Sequence, residues 1–193
     1  GVQTCALPIY NMKLLFISLG CDKNLVDSEE MLGMLAADGH EIVDDEDEAE
    51  VIIVNTCCFI GDAKEESVNT ILEMAEKKKA GTCKVLIVTG CMAQRYKKEI
   101  SEEIPEVDAI LGTTSYGDIS KAVKEAQAGR HFEEYKSIDF LPDISGKRML
   151  TTGGHFAYLK IAEGCDKHCT YCIIPKLRGS YRSVPMEQLV KEA

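Results

Sequence analysis

The sequence lacks the features that direct a chain into or across a membrane. No apolar run approaches the roughly 20 residues that a transmembrane helix needs, and no basic start leads into the apolar segment of a signal peptide. The chain also contains no internal repeat, no phosphate-binding P-loop and no Ser/His/Asp arrangement. These absences point away from membrane proteins, repeat proteins and the common hydrolase sites, and we interpret the chain as cytoplasmic.

Positive charge is scarce and unevenly distributed. The 193-residue chain has 22 Lys and Arg residues against 32 Asp and Glu, a net charge of −10. Residues 1–146 carry a net −14, whereas residues 147–193 carry +4. Because binding to phosphate backbones needs patches of Lys and Arg, the acidic first part is not a general nucleic-acid binder. Its acidity suits a basic macromolecular partner, although the run at 44–50 is also typical of a solvated loop.

Cysteine, in contrast, is abundant, since the chain has nine. Thiols stay reduced in the cytoplasm, so a cysteine-rich chain there indicates metal binding or redox chemistry rather than disulfides. Cys165, Cys169 and Cys172, called here the loop cysteines, have the spacing C-x3-C-x2-C. Thiolates this close can hold one iron–sulfur cluster. Because no cysteine follows Cys172, three ligands on four irons would leave one iron open to a small molecule.

Two other interpretations of the loop cysteines stay open. Zinc sites use four ligands, often as paired C-x2-C or Cys/His sets, and only His168 is at hand as a fourth, between two of the cysteines. The loop cysteines can also be unrelated buried thiols. For the basic residues that follow them, Lys176, Arg178 and Arg182, contact with a carboxylate or RNA stays open, but a solvated loop is the favoured interpretation.

Alternating apolar runs and amphipathic segments predict an α/β fold. Strands are expected at 14–17, 41–43, 51–54, 84–88 and 107–111, and helices at 27–38, 62–80, 93–104 and 118–128. The second helix is predicted to begin with a capping box formed by Asp62 and Glu65. The predicted inner faces of the second and last helices carry Val68, Ile71, Leu72 and Ala75, and Ile119, Ala122, Val123 and Ala126. Since such alternation produces parallel sheets covered on both faces, residues 12–128 are predicted to form an open parallel-sheet α/β sandwich of about five strands.

The remaining segments are divided by their composition. Residues 1–11, which include Cys5, fit nothing that follows and are interpreted as a non-native leader. Residues 129–154 have no clear period and are interpreted as a linker, because they contain Pro142, Gly146, Gly153 and Gly154. A strand is expected at 156–161 and a helix at 185–193. A complete β/α barrel needs roughly 200 residues or more, so residues 155–193 are predicted to supply only a first β/α unit of a truncated barrel.

Three further cysteines share one position relative to the predicted sheet. Cys21, Cys57 and Cys91, called here the strand-end cysteines, each lie just past the carboxyl end of a predicted strand. In a parallel sheet those ends lie at one edge, where open α/β sheets bind ligands. Cys83 precedes its strand and belongs at the opposite edge, and of the neighbours Cys57 and Cys58 we favour Cys57. From geometry alone, a shared metal site and three small buried thiols both remain open.

Several stretches together carry a resemblance to a known family. They are Ser18-Leu19-Gly20-Cys21-Asp22-Lys23-Asn24 with Val26-Asp27-Ser28-Glu29, then Asn55-Thr56-Cys57, then Thr89-Gly90-Cys91, then Gly164-Cys165, Cys169 and Tyr171-Cys172-Ile173-Ile174-Pro175 with Arg178-Gly179. Over residues 12–193 the chain resembles the methylthiotransferase family of radical S-adenosylmethionine (radical-SAM) enzymes. The first stretch resembles the branch that modifies a small-subunit ribosomal protein more than the branch that modifies tRNA adenosine.

The resemblance implies an enzyme with two 4Fe–4S clusters. The loop cysteines would hold the radical-SAM cluster, whose open iron binds S-adenosylmethionine with Tyr171 near the adenine; ordinary loop packing is the alternative role of Tyr171. The strand-end cysteines would hold an auxiliary cluster in an N-terminal methylthiotransferase domain, 12–128. Residues 155–193 would then form the first part of a radical-SAM β/α barrel.

The reaction that the resemblance implies adds a methylthio group to the β-carbon of an aspartate on small-subunit ribosomal protein number twelve. A reductase would donate the electrons, and the sulfur donor is left open. A tRNA adenosine is the alternative substrate, and a non-catalytic iron–sulfur or zinc-binding module is the alternative of another class. Because most of the barrel and the family's C-terminal β-domain lie outside the 193 residues, we expect the chain to bind clusters without turning over.

Overall fold

A parallel sheet organises the computed structural model, which describes residues 11–142 and 148–193. Its strands are β1 (Lys13–Ser18), β2 (Glu41–Val43), β3 (Val51–Thr56), β4 (Val85–Gly90), β5 (Ala109–Leu111) and β6 (Phe132–Glu134). They lie in the order β2-β1-β3-β4-β5-β6, and every neighbouring pair is parallel. The interpreted leader up to residue 10, with Cys5, and Gly146 of the predicted linker lie outside the described residues.

Helices cover both faces of the sheet. They are α1 (Asp22–Ala37), α2 (Gly61–Ala80), α3 (Cys91–Arg95), α4 (Lys97–Glu103) and α5 (Ile119–Gln127), with a short 3₁₀ turn at Tyr116–Asp118. In the central strands β3 and β4 every residue is buried. Successive side chains of a strand point to opposite faces, so Ile52 and Leu86 pack in the core under α2 and α3, whereas Ile53 and Ile87 pack under α1 and α5.

The predicted α/β class with a parallel sheet is confirmed, but the sheet has one more strand than expected. The additional strand, β6, pairs with β5 and lies inside the stretch interpreted as a linker. Its sequence, Phe-Glu-Glu, has a single apolar residue at the edge of the sheet, so it has no hydrophobic period to recognise. The α/β sandwich therefore extends past residue 128.

The predicted helices differ from the observed ones at their ends, in one break and on one face. The helix α1 begins at Asp22, five residues before the predicted start, and the single helix predicted at 93–104 is divided at Tyr96 into α3 and α4. The capping box predicted at Asp62 is wrong, because α2 begins at Gly61 after Ile60 and its start has no side-chain cap bond in the described part of the chain. Val68 and Leu72 were assigned to the buried face, yet they are 37% and 46% exposed, and Ser67 and Met74 are buried in their place. The inner face of α5 is confirmed in full.

The segment after the sheet packs on the carboxyl edge of the sheet. It contains the antiparallel pair β7 (Ala162–Glu163) and β8 (Arg182–Ser183), the short helix α6 (Ile174–Arg178) and the helix α7 (Met186–Glu192). The strand predicted at 156–161 is wrong, since those residues are irregular and Phe156 and Ile161 are about 60% exposed. A strand needs a partner strand for its backbone groups. In the described ranges the ladder with β8 pairs only Ala162 and Glu163, and Ile161 adds a single bond by accepting the Val184 N–H. None of the helices in the described ranges is both long enough and apolar enough to cross a membrane.

Candidate functional site

The strand-end cysteines lie together at the carboxyl edge of three adjacent strands. Cys57 follows β3 directly, Cys91 is the first residue of α3 after β4, and Cys21 lies between β1 and α1. Because β1, β3 and β4 are neighbours in the sheet, the three side chains line one cavity of about 790 Å³. The convergence expected from the sequence is therefore present, and the role of these cysteines as ligands stays a prediction.

Two glycines allow the cysteine-bearing loops to approach one another. Gly20 has φ +102°, and a Cβ there would lie 2.7 Å from Cys57 Cβ. Gly90 has φ +93°, and a Cβ there would lie 2.5 Å from the Thr56 carbonyl oxygen. Both conformations are strained for any residue with a side chain. The backbone conformation before Cys21 and before Cys91 therefore depends on the glycine that precedes each cysteine.

The two other cysteines of the sheet face away from this cavity. Cys58 is 3% exposed in the hydrophobic core, and its Sγ lies 3.3 Å from the Cys91 carbonyl oxygen as a hydrogen-bond donor. Burial raises the pKa of the Cys58 thiol. Cys83, at the opposite edge, is also buried and donates to the Val85 carbonyl oxygen at 3.1 Å. This placement agrees with the preference for Cys57 over Cys58.

The Cys91 thiol is buried in the wall of this cavity. It is 8% exposed, and burial raises its pKa to about 11, although the nearby Arg178 guanidinium opposes that rise. A thiol must lose its proton before it can bind a metal. The positive charge of Arg178 acts on this thiol and favours its thiolate form.

The loop cysteines lie beside a second cavity. Cys169 and Cys172 line this cavity of about 470 Å³, together with Arg95 and Lys176. Cys165 is partly buried outside its lining, and its N–H donates to the Gly179 carbonyl oxygen at 3.0 Å. Tyr171, predicted near a cofactor, also lines the second cavity and is 90% exposed. Phe59 is in the wall of both cavities, so the two cysteine sets face adjoining spaces.

The residues at the first cavity fit an iron–sulfur cluster. The three thiols are free, and Cys thiolates are the usual ligands of such clusters. The cavity walls between them are mostly apolar, formed by Leu19, Phe59, Ile60, Ile174 and Leu177, and Gly20 leaves space beside Cys57. In residues 11–142 and 148–193, no three His, Cys, Asp or Glu side chains are close enough to hold one metal ion. The spacing of the thiols thus differs from that of a single-ion site.

The sequence prediction that Arg178 belongs to a solvated loop is wrong. Arg178 is 4% exposed, and its Nη1 donates to Asp27 Oδ2 at 2.7 Å and to Glu163 Oε2 at 3.1 Å. Lys160, 8% exposed, donates to the other oxygen of Asp27. Burial by itself lowers the pKa of Arg178, but the opposing charges around it, Asp27 first and then Cys91 and Glu163, together raise the pKa well above its usual value. Of the other two basic residues, Lys176 is exposed and Arg182 is partly buried against Asp139.

Sequence reasoning missed this buried network as a functional feature. Asn24, Asp27, Ser28 and Glu29 are all buried although they are polar. Their positions on α1 were a signal, because a helix that faces a core normally shows an apolar stripe. Buried charges require partners, so these residues pointed to cations elsewhere in the chain. The two cations that pair with Asp27, Lys160 and Arg178, lie 133 and 151 residues later and were not indicated by any local pattern.

Glu30 provides a pH-dependent contribution to stability. Burial raises its pKa to about 7, although Lys160 opposes the shift while Asp27 adds to it. One of its carboxylate oxygens has no hydrogen-bond partner among the described residues. The folded state therefore binds the Glu30 proton more tightly than the unfolded state, where the pKa is about 4.5. As the pH rises from about 4.5 to about 7, this carboxyl makes folding progressively less favourable.

We expect Glu30→Gln to stabilise the chain at pH 8 by about 1–3 kcal/mol relative to the parent, and to change little at pH 4.5. The amide stays neutral, so the cost of ionising a buried carboxyl above pH 7 is removed. Urea unfolding of the metal-free, reduced chain at a series of pH values measures the difference. Glu65→Gln on the exposed side of α2 is the matched control. A difference between Glu30→Gln and the parent that does not vary with pH would contradict this account.

Comparison with known proteins finds one matching family and several named relatives. A family model described as "Uncharacterized protein family UPF0004" matches residues 13–112. Relatives named "Ribosomal protein uS12 methylthiotransferase RimO" include those of Lachnoclostridium phytofermentans, 65% identical over 182 residues, and Clostridioides difficile, 52% identical over 182 residues. Each alignment covers 94% of this chain and 41% of the relative. The relative of Symbiobacterium thermophilum is 48% identical over 193 residues, which are 100% of this chain and 39% of that protein.

These comparisons bear on the resemblance noted in the sequence. The chain spans about two fifths of the length of the curated relatives it matches. The resemblance to the methylthiotransferases, and to their ribosomal-protein branch, is confirmed by the names of these relatives. The family match extends from β1 to just past β5, covers more than half of the chain and contains all three strand-end cysteines. The chain therefore belongs to the protein family UPF0004.

Proposed function

We propose that this chain is the cluster-binding part of a radical-SAM methylthiotransferase that modifies the β-carbon of an aspartate on ribosomal protein uS12. The observation that carries the proposal is the pair of adjoining cavities, one lined by the three strand-end cysteines and the other by two of the loop cysteines. The choice of substrate rests on the relatives, which are named for ribosomal protein uS12. The net charge of −10 suits a basic ribosomal partner.

In this proposal the strand-end cysteines hold one 4Fe–4S cluster and the loop cysteines hold the other. Together with S-adenosylmethionine these clusters would supply the one-electron and sulfur chemistry, and the protein would bind and orient them. The chain's own residues place them: Gly20 and Gly90 bring the strand-end loops together, and Arg178 puts a buried positive charge beside Cys91. Leu19, Ile60 and Leu177 keep the first cavity apolar. Tyr171, exposed beside the second cavity, is the residue that we propose lies near the adenine.

The proposal also includes the surroundings of the enzyme. The eight described cysteines are free, which suits a reducing cytoplasm, where ribosomes are also found. A reductase is the proposed electron donor, and no residue of the chain identifies the sulfur donor. We further propose that the 193 residues bind clusters without turnover.

The substrate is tested by transplanting this chain into a longer relative. Residues 12–193 replace the matching part of the Lachnoclostridium phytofermentans protein, to which they are 65% identical. The purified chimaera receives S-adenosylmethionine, reductant, and either small ribosomal subunits or tRNA. We expect mass spectrometry to find the methylthio group on a uS12 aspartate. A methylthio group on tRNA adenosine instead would support the alternative substrate, and the same chimaera with the loop cysteines changed to Ala is the inactive control.

The response to S-adenosylmethionine distinguishes a radical-SAM enzyme from a non-catalytic iron–sulfur or zinc-binding module. We expect the anaerobically reconstituted 193-residue chain to be brown, and its reduced-state EPR spectrum to change when S-adenosylmethionine is added. The change follows from the open iron that three thiolate ligands leave on a four-iron cluster. A colourless zinc-containing protein, or a spectrum that ignores S-adenosylmethionine, would contradict the proposal.

A further inference from the structure

Asn24 connects the three strand-end loops. Its side chain is fully buried, and its Nδ2 donates to the carbonyl oxygens of Leu19 and Thr56, both at 2.9 Å. Leu19 precedes Gly20-Cys21, and Thr56 precedes Cys57. The Oδ1 atom of the same amide lies 3.9 Å from Cys91 Sγ. One side chain therefore contacts the backbone beside two of the cysteines and the thiol of the third.

Arg178 connects Asn24 to the loop cysteines. Its Nη2 donates to Asn24 Oδ1, while its Nη1 donates to Glu163 Oε2 at 3.1 Å. Glu163 is the last residue of β7, two positions before Cys165, and its other carboxylate oxygen accepts the N–H of Gly164 at 3.1 Å. Arg178 therefore contacts Asn24, which bonds the strand-end loops, through one nitrogen. Through another nitrogen it contacts Glu163, which lies just before the loop cysteines.

The planar fork of arginine is what this junction requires. A guanidinium presents several donors in fixed directions, whereas a lysine ammonium is a point charge on a flexible stem. Here the fork contacts Asp27, Glu163 and Asn24 at once, and the Arg178 side chain is 5% exposed. Lys160 belongs to the same network through Asp27 and lies 3.7 Å from Glu163. Its contacts do not include Asn24 or the first cavity, so the two buried cations have different roles.

We propose that Asn24 and Arg178 are positioning residues that fix the strand-end cysteines and the loop cysteines relative to one another. Neither needs to touch a reacting atom, because each acts through the backbone and side chains that carry the thiols. The proposal concerns the chain without metal as well as with it. Only its cluster-based test rests on the proposed function.

The first test uses hydrogen exchange on the metal-free, reduced chain. We expect Asn24→Asp and Arg178→Lys to accelerate amide exchange about tenfold or more in the two strand-end loops whose carbonyl oxygens accept from Asn24 (residues 19–24 and 56–60). The same acceleration is expected at residues 163–172, since each variant leaves buried polar groups without partners. Asn24→Asp keeps the size of the side chain and the acceptor for Arg178, but it removes both donated bonds. Exchange in β3 and β4 reports global unfolding and serves as the internal reference.

Lys160→Met is the matched control, because it removes a buried cation of the same network without touching Asn24. We expect it to lower overall stability and to leave exchange in the strand-end loops unchanged relative to β3 and β4. The proposal is overturned if Lys160→Met produces the same pattern as Arg178→Lys. It is also overturned if the Arg178→Lys effect stays confined to residues 160–182.

The second test asks whether the contacts of Asn24 and Arg178 affect the cluster that the strand-end cysteines are proposed to hold. In a Cys165/Cys169/Cys172→Ala background only the strand-end site can bind iron, so its EPR spectrum and reduction potential are measured alone. We expect Arg178→Lys and Asn24→Asp to shift both quantities, and Lys160→Met to leave the spectrum unchanged. Unchanged spectra in all three variants would overturn the proposal at the cluster level. If the background itself binds no iron, the proposed function fails at this site. Hydrogen exchange alone then decides whether Asn24 and Arg178 hold the two cysteine sets in place.

Discussion

Replacing Cys21, Cys57 and Cys91 together by alanine is expected to halve the iron content of the reconstituted chain, from about eight to about four atoms, because one of two four-iron clusters is lost. The three thiols line the same cavity, so removing them takes away every protein ligand of the proposed auxiliary cluster. Alanine preserves the buried backbone at Cys57 and Cys91. We therefore expect the variant to fold and to keep the cluster of the loop cysteines.

Iron and sulfide analysis after anaerobic reconstitution measures this loss, and reduced-state EPR with and without S-adenosylmethionine identifies the remaining cluster. We expect that cluster to respond to S-adenosylmethionine as in the parent. The Cys58/Cys83→Ala double variant is the control, since both cysteines are buried in the core and outside the lining of the cavity; its iron content should equal that of the parent. Unchanged iron in the triple variant would mean that the strand-end cysteines only pack, and that the chain is a simpler radical-SAM protein.

The strand-end cysteines were predictable because their placement follows from topology alone. Once the apolar runs before Cys21, Cys57 and Cys91 are recognised as parallel strands, their carboxyl ends must lie at one edge of the sheet. The prediction needed no side-chain detail, only the direction of the strands. It also separated Cys83 correctly, because a residue before a strand lies at the other edge.

The short edge strand β6 was not predictable in the same way. Its three residues contain one apolar side chain followed by two glutamates, so its sequence carries no hydrophobic pattern, whereas the equally short strand β2 at the other edge has Ile42 and Val43 and was predicted. The end of α2 was predicted at Gly81 and is observed there, with Gly81 in the left-handed conformation. Its start was predicted at residue 62, one residue late, and the capping box expected there is absent because Ile60, which precedes the helix, has no side chain that can cap it.

The ion pairs that join the two parts of the site could not be predicted from any local sequence pattern. Asp27 and Arg178 are 151 positions apart, and their contact depends on how the segment after the sheet packs against α1. The sequence indicated only that a basic residue follows the loop cysteines. Whether such a residue is solvated or buried is decided by tertiary packing, and in this chain a fully formed network of partners makes its burial possible.

Asp27 is the position in that junction where a substitution should have the largest effect on stability. Its side chain is 5% exposed and accepts from both Lys160 and Arg178. We expect Asp27→Asn to lower the free energy of unfolding by about 3–5 kcal/mol, because removing one partner of a buried ion pair leaves uncompensated charge in the interior. Arg178 retains Glu163, whereas Lys160 loses its closest carboxylate.

Urea unfolding of the metal-free, reduced chain measures this effect at a fixed pH of 8. The control is Asp139→Asn, which removes a carboxylate that is 56% exposed and lies 3.5 Å from Arg182; a surface pair of this kind should contribute about 1 kcal/mol or less. Adding Lys160→Met to Asp27→Asn removes one of the uncompensated charges, so the double variant should be more stable than the sum of the two single effects predicts. Equal losses for Asp27→Asn and Asp139→Asn, or strict additivity in the double variant, would show that the buried charges are not coupled as their contacts indicate.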